Sequence, residues 1–547
     1  MTLLFYAFAL AGCLPVCLAV ALQERSQPAP SDLTQQVVSE VQDKIKLITD
    51  KTLLDSLQLS KLLPEPLFAT QRHAWTNWAG TQYADPAQVF RPKTINDITA
   101  MVQKAKVNNK KLRCAGSGHS WSSSSKVNKD GYLAIMNDMH KIHSPVHVGD
   151  DVWTVEVETG VTVGDLDEFL RQHSPPLALP SNVVLTSVRY GGVLSLGCHG
   201  AATRTRTLPD LIAEVKIVDS NGTLRTFTKD KDPLEFSAAT VNLGLLGVIY
   251  TYTLRVEPLF KLQMVDSLPL VSEYFDDPKV GGPKLKAMVL GNDQTEMFYW
   301  PFNTPGQDAA NDYLWLKQWH RTNMTLTSSF VTDRLTAVFQ TLQTILGRGV
   351  NELMVAYPPS TPHWISFITP LALRADNQVL DAPNAIHYQA GIDNLPCYDL
   401  EMGFKVDGNF ENVVKAWKFV IDKVYEYASK GKFPMNFPLE MRFVKSSDAL
   451  MSAAYDEDPE AIYCMIEILS AVRTPGFEEF SIEIGKYWMD NFHARPHWAK
   501  MWEHVPGIVP YLRQEAGSRF DKFDAIRKKY DPNDMFLTDT FSGVLGH

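Results

Sequence analysis

Residues 115–121 read Ala115-Gly116-Ser117-Gly118-His119-Ser120-Trp121 and close a short strand candidate, KLRCA, at 111–115. Two glycines free the backbone for conformations that other residues avoid. Successive amide N–H groups in such a turn can converge on an anion. The turn is not the G-x-G-x-x-G dinucleotide fingerprint, because Trp121 stands where the third glycine belongs. Nor is it a Walker loop, which needs Lys followed by Ser or Thr at a set offset. A second stretch, YGGVLSLGCHG at 190–200, places four glycines in eleven residues among apolar neighbours. It reads either as a buried loop of tight turns or as a loop whose backbone closely approaches a flat or anionic ligand. Two such stretches in one region point to a dinucleotide.

Outward from these turns, strands and helices mix without a regular βαβ repeat, which indicates an α+β fold. Asn96 or Asp97 caps a helix over DITAMVQKAKVNN, and strands are expected at Trp153–Glu158, Ile212–Val218, Thr223–Thr228 and Gly247–Val256. Asn221-Gly222 between two of them is a hairpin signal. The stretch 260–430 is Pro-rich and aromatic, with one amphipathic helix at Asn412–Ser429; strand signals return near 437–445 and 461–469, and helices follow Ser481. Upstream, Val37, Val38, Val41, Ile45 and Ile48 keep helical spacing behind Ser31 and Asp32.

Residues 1–22 carry no charge and end in Ala19-Val20-Ala21. They read as a signal peptide, so the protein is expected to be secreted, with an uncleaved ER-membrane anchor as the alternative and membrane contact only in that case. Cys13 and Cys17 would leave with the signal. Cys114, Cys198, Cys397 and Cys464 remain, open equally to disulfides and to buried thiols. Two sequons, at Asn221 and Asn323, fit a glycoprotein.

The 547 residues are 45% hydrophobic and 21% charged, enough for a sizeable core and against intrinsic disorder. Lys and Arg number 52 against 62 Asp and Glu, a net charge of −10, which argues against a nucleic-acid partner. The cysteine spacing suggests no metal site.

Two further motifs carry chemistry. Glu440-Met441-Arg442 lies in FPLEMRFVK at 437–445. Residues two apart on a strand share a face, so an acid and a guanidinium point together from an apolar segment, as a structural ion pair or as a reactive one. Arg495-Pro496-His497-Trp498-Ala499-Lys500 brings an imidazole, an indole and an amine together. Its plain alternative is a surface helix starting after Pro496. His199 by itself reads as a structural histidine.

Taken in order, Asn77-Trp78-Ala79, the G-x-G-H-S turn, the G-G…G-x-H loop, NLGLLGV at 242–248, P-x-E-x-R at 438–442 and R-P-H-W-x-K at 495–500 resemble the vanillyl-alcohol-oxidase superfamily of flavoproteins. The branch most resembled is that of the sugar-1,4-lactone and alditol oxidases, over residues 77–537. The resemblance implies a two-domain FAD-binding (PCMH-type) fold: an FAD domain at 71–258, a substrate or cap domain at 259–480, and a segment at 481–547 returning to complete the FAD domain; the signal peptide at 1–21 and an extension at 22–70 are additions to the family pattern. It implies FAD held by Gly116, Ser117, Gly118, Ser120, Gly191, Gly192, Gly197, His199, Gly200 and Val248, and joined covalently through His119 to the flavin 8α-methyl. It implies Glu440, Arg442 and Lys500 as catalytic residues. The implied reaction moves hydride from a carbinol C–H of a sugar lactone or polyol to flavin N5, with oxygen reduced to hydrogen peroxide. A berberine-bridge-like oxidase of another alcohol, or a dehydrogenase with a different acceptor, are the alternatives; no cysteine precedes Gly191 for a second flavin bond. Asp534 departs from the family's D-P-x-G-x-F tail. Met465 and Glu467 stand where alditol oxidases place small polar groups, which suits a less polar substrate.

Overall fold

The computed structural model describes residues 73–327, 330–373 and 375–547. The expected signal peptide and the helix within 22–70 lie outside them.

Three strands, β1 (Gln88–Phe90), β2 (Leu112–Ala115) and β3 (Tyr132–Ile135), form a small parallel sheet in the order β1-β3-β2. Helix α1 (Ile95–Val107) covers it with Ile98, Met101, Val102 and Ala105. Its cap is Thr94, not Asn96 or Asp97: Thr94 accepts the Asp97 N–H while Asp97 accepts the Thr94 N–H, a capping box. The chain's end closes this layer. Met535 and Phe536 share its core, and the Leu112 N–H donates to Met535 C=O at 2.9 Å. Arg113 is buried, and its guanidinium donates to the carbonyls of Ser124, Leu243, Gly244 and Phe536. Asp534 takes a φ of +58°, the left-handed conformation that a glycine would supply, and pairs with Arg527 at 2.7 Å.

A second, antiparallel sheet holds β4 (Val146–Gly149), β5 (Val152–Glu158), β6 (Leu177–Ala178), β7 (Ile212–Val218), β8 (Leu224–Thr228) and β9 (Val248–Pro258), ordered β8-β7-β9-β5-β4 with β6 beside β9. The Asn221-Gly222 hairpin joins β7 to β8, with Gly222 at φ +77° and the Asp219 carboxylate accepting the N–H groups of Asn221 and Thr223. Tyr190–Gly200 is not an open loop. Its first half is a short helix, α2 (Tyr190–Ser195), with Tyr190 fully buried.

Eight strands form the third sheet: β10 (Lys261–Ser267), β11 (Gln294–Tyr299), β12 (Trp315–Arg321), β13 (Asn377–Asp381), β14 (Cys397–Lys405), β15 (Leu439–Lys445), β16 (Ile462–Ala471) and β17 (Arg495–Pro496). Their order is β13-β10-β12-β11-β15-β16-β14-β17, with antiparallel neighbours throughout. The sheet therefore starts three residues after β9 ends and runs to Pro496. The division expected at 480/481 falls inside a helix, and no helix starts at Pro496, because β17 pairs there with β14.

Register gives this sheet two unlike faces. One row across β12-β11-β15-β16-β14 is Leu316, Met297, Met441, Ile466 and Met402. It packs against α3 (Pro278–Gly291), α4 (Glu411–Ser429) and α5 (Phe477–Phe492), whose Leu285, Trp417, Ile421, Phe480 and Ile484 belong to the same core. The neighbouring row, one residue away and so on the opposite face, is Trp315, Phe298, Glu440, Glu467 and Glu401. The row beyond that adds Asp266, Lys317, Glu296, Arg442, Met465 and Gly403.

Candidate active site

Glu440, Glu467 and Glu401 face one another directly on three adjacent strands, and all are at least 94% buried. Like charges placed opposite one another are destabilising, so cations and protons must hold this ladder together. Arg442 supplies one clamp. Its guanidinium pairs with Glu440, with Glu467 at 3.1 Å and with Glu296 at 3.2 Å. Lys500 supplies the other, pairing with Asp399, with Glu467 at 2.7 Å and with Glu401 at 3.4 Å. The three predicted catalytic residues therefore converge on one site, through Glu467.

The electrostatics follow from the crowding. Burial lifts both Glu440 and Asp399 well above the usual carboxylate range, although Arg442 and Lys500 oppose it. Burial would also lift Glu467 and Glu401, but Lys500, joined by Arg442 at Glu467 and by the His199 hydrogen bond at Glu401, outweighs it and holds both below that range. Burial pulls down Lys500 and Arg442, yet the surrounding carboxylates hold both well above their ordinary values, so both stay charged. The neighbouring carboxylates Glu467 and Glu296 add to the rise at Glu440. The site thus holds two permanent cations beside a carboxyl that keeps its proton.

The glycine turn meets this cluster at Ala499. Its carbonyl accepts the Trp121 N–H at 2.6 Å and the Ser120 hydroxyl at 3.2 Å, and Lys500 Nζ stands 4.8 Å over the Trp121 ring. The His119 ring stacks on Trp78 at 4.7 Å. Its Nδ1 is buried without a hydrogen-bond partner, and burial depresses its basicity, so the ring is neutral. Among the described residues, the N–H groups of Ser117, Gly118, His119 and Ser120 donate to no protein acceptor. Gly118 has φ +75°. A row of unengaged amides beside an unpartnered imidazole nitrogen fits the pyrophosphate and flavin of FAD, with the amides holding the anion and His119 next to the ring system.

The second glycine segment contributes differently than expected. Ser117 Oγ donates to Ser187 C=O at 2.8 Å, which brings the two segments together. A Cβ on Gly191 would stand 2.9 Å from Thr159 O, and one on Gly200 would stand 2.6 Å from Asn182 O. These glycines are required by the protein's own packing. Only Gly192 opens on free space, with nothing within 4 Å of a Cβ. Gly197 takes φ +71°, a turn requirement. The Val248 side chain is buried in the core with Ile98 and Met136. His199 spends its ring nitrogens within the protein. Its Nε2 meets Glu401 Oε1 at 2.7 Å and its Nδ1 meets Gly200 O at 2.9 Å. It ties the cofactor segment to Lys500 through Glu401.

Asp399, Glu401, Glu296 and Tyr388 belong to the site and were missed, whereas the sequence marks His497 only as part of the R-P-H-W-x-K motif. Asp399-Leu400-Glu401 repeats the signal that exposed Glu440 and Arg442, two polar groups spaced by two in an apolar strand. Tyr388, whose hydroxyl donates to Glu296 at 2.7 Å, left no such trace. Met465, beside Arg442 in the sheet, packs over Gly403 and Ala453. Cys114, Cys198, Cys397 and Cys464 are free thiols. His199, Glu401 and His497 have ligand-type atoms within 4.8 Å of one another. Glu401 is spent on His199 and Lys500, however, and His497 Nδ1 accepts the Ala499 N–H at 3.1 Å.

Comparison with known proteins agrees with this architecture. The family profile described as an FAD binding domain matches residues 86–228, and the profile of D-arabinono-1,4-lactone oxidase matches residues 313–544. The chain is 26% identical to an L-gulono-1,4-lactone dehydrogenase of Mycobacterium tuberculosis, over 86% of this chain and 99% of that protein. It is 24% identical to an L-gulonolactone oxidase of Scyliorhinus torazame, over 86% and 98%. A crystal structure of cholesterol oxidase from B. sterolicum superposes with a TM-score of 0.72 at 19% identity, covering 88% of this chain and 99% of that one, and so shares the fold. With an unengaged amide turn on one side, a clamped carboxylate ladder on the other, and the FAD-binding and D-arabinono-1,4-lactone oxidase profiles, the chain is an FAD-dependent oxidoreductase of CH–OH donors that fits the sugar-lactone oxidases of the vanillyl-alcohol-oxidase superfamily.

Proposed function

We propose that this protein oxidises a carbinol carbon of a sugar lactone or polyol and passes the electrons to oxygen, forming hydrogen peroxide. The observation that carries this reading is the paired clamp: Arg442 and Lys500, both permanently charged, flank Glu440 and Glu467 on the sheet face that meets the His119 turn. FAD, when bound, supplies the two-electron acceptor for the hydride leaving the carbinol carbon. Arg442 and Lys500 stabilise the negative charge that develops on the substrate oxygen. Glu440, which keeps its proton, donates a hydrogen bond to a substrate oxygen, whereas Glu467 is the carboxylate able to take a proton. The aromatic wall of Trp121 beneath Lys500 excludes water from the ammonium.

His119 forms the covalent link in this reading. Its neutral, unpartnered Nδ1 is the nucleophile that such a bond needs. Acid precipitation of purified protein tests it: yellow colour stays in the pellet of the wild type and moves to the supernatant in H119A. Colour released from the wild type defeats the link. Anaerobic mixing with L-gulono- and D-arabinono-1,4-lactone and with straight-chain polyols tests the reaction by bleaching of the flavin band. Readmission of air then separates an oxidase, which recovers its colour and forms peroxide, from a dehydrogenase, the name carried by the mycobacterial relative. Gly192 supports the oxidase reading, because it leaves open space that a larger side chain would fill. The protein is secreted in this reading, and its sequon residues Asn221 and Asn323 are both exposed. Among the described residues, no helix is long and apolar enough to cross a membrane.

A further inference from the structure

The reactive face of the large sheet does not stop at Glu440 and Arg442. The row that carries Glu401, Glu467 and Glu440 continues onto Phe298 and then Trp315. With strands about 4.8 Å apart, these rings begin about 5 Å and about 10 Å from the Glu440 backbone. Trp300 stacks on Phe298 at 6.1 Å, Phe298 and Trp315 stand 5.5 Å apart, and Tyr388 closes the group 6.2 Å from Phe298. The surface is tied to the clamp by Glu296, which accepts the Tyr388 hydroxyl at 2.7 Å and pairs with Arg442 at 3.2 Å.

Two explanations compete for these rings. Lys317 is 1% exposed, pairs with Asp266 at 2.6 Å, and lies 4.2 Å from the Trp315 ring and 4.5 Å from Tyr388. Trp315 and Tyr388 therefore insulate a buried ion pair. Trp300 does not share that task. It stands over Phe298 and Trp315, makes no cation contact with Lys317 among the described residues, and stays half-buried, as do Trp315 and Tyr388. An aromatic surface larger than the ion pair needs, partly open and continuous with the reacting row, is a binding surface.

We propose that Phe298, Trp300, Trp315 and Tyr388 form a second subsite of the active centre, which stacks a flat ring of the substrate while its carbinol lies between Glu440, Arg442 and Lys500. The ligand class is a ring-bearing alcohol presenting either the C–H face of a sugar ring or an aryl group. This inference rests on the reading of those three residues as the oxidising centre.

The test uses the holoprotein and the variants Trp300→Ala, Trp300→Phe and Phe298→Leu. Substrates are a bare 1,4-lactone, the same lactone bearing a phenyl group, and an open-chain polyol. Rates come from anaerobic flavin reduction. Affinity comes independently from quenching of tryptophan fluorescence by a phenyl-bearing deoxy analogue that cannot be oxidised. A ring–ring contact is worth about 0.5–1.5 kcal/mol, so W300A raises KM and Kd about 2–12-fold for ring-bearing ligands. It leaves kcat and the polyol unchanged, and W300F restores binding. A shift confined to the phenyl compound identifies an aryl ring, and one shared by the bare lactone identifies the sugar ring. A shift equal for all substrates, or none at all, in variants that melt like the wild type overturns the subsite. If no alcohol reduces the wild-type flavin, the proposed reaction fails, and the fluorescence titration still decides the subsite by itself.

Discussion

At the residue scale, the site is a problem in sharing few cations among many carboxylates. Lys500 is faced by Asp399 and Glu401 from β14, by Glu467 from β16 and by Glu440 and Arg442 from β15, with His199, Cys198 and His497 close by. Glu401 holds this amine in place and is itself held by His199, so E401Q is expected to lower kcat about 10–100-fold with KM little changed. The same change removes one of the charges that keep Lys500 protonated, so the alkaline limb of the pH–rate profile moves to lower pH. A profile that keeps its alkaline limb would refute this role. His497 gives a second pH dependence. Burial pushes its basicity down to about 4, against the ordinary 6.5, with Nδ1 already occupied by the Ala499 N–H. The unfolded chain therefore binds the extra proton between these values, and stability present above pH 6.5 is lost as pH falls toward 4, on the order of 3 kcal/mol. Melting of H497N should fall less steeply over that window than melting of the wild type. Glu440 and Arg442 were legible because motif and alternation both marked them, and Lys500 because the R-P-H-W-x-K motif marked it. Glu296 and Tyr388 were not, since only pairing across β11 and β15 brings them to Arg442.

At the element scale, adjacent glycines separate packing from cofactor contact. G191A places its methyl 2.8 Å from Thr159 Cβ, so it is expected to destabilise the fold by about 1–3 kcal/mol, visible as a lowered Tm. G192A meets nothing, and should melt as the wild type while slowing reoxidation in air. Equal melting of the two variants would mean that α2 yields at Gly191. The strands around these turns were readable, since alternation and the Asn221-Gly222 hairpin are local signals. Helix α2 was hidden because four glycines disguise a turn of helix whose Tyr190, Val193 and Leu194 enter the core. The end of the large sheet was hidden for another reason: β17 is two residues long and owes its existence to β14, about 90 residues upstream.

At the scale of the whole molecule, the chain's end is part of the first layer. Asp531 accepts the N–H groups of Met535 and Phe536 at 2.8 Å, and Arg113 reaches the Phe536 carbonyl. Removing residues 531–547 takes Met535 and Phe536 out of this layer's core and one carbonyl partner from the buried Arg113, so the truncated chain is expected to lose bound FAD and cooperative melting together. A truncated protein that stays yellow would show that the layer closes without them. The large sheet carries a different lesson. Every second residue of its central strands builds the helix-covered core, and every other one builds the chemistry. Inserting or deleting one residue in β15 or β16 would therefore send Glu440 or Glu467 toward α4 and bring an apolar neighbour to the substrate at the same stroke. In a mutational library, substitutions on these strands can yield well-folded proteins without activity. Single-codon insertions and deletions should be depleted there as severely by selection for soluble protein as by selection for turnover, so that the reading frame of the catalytic machinery is proofread by folding itself.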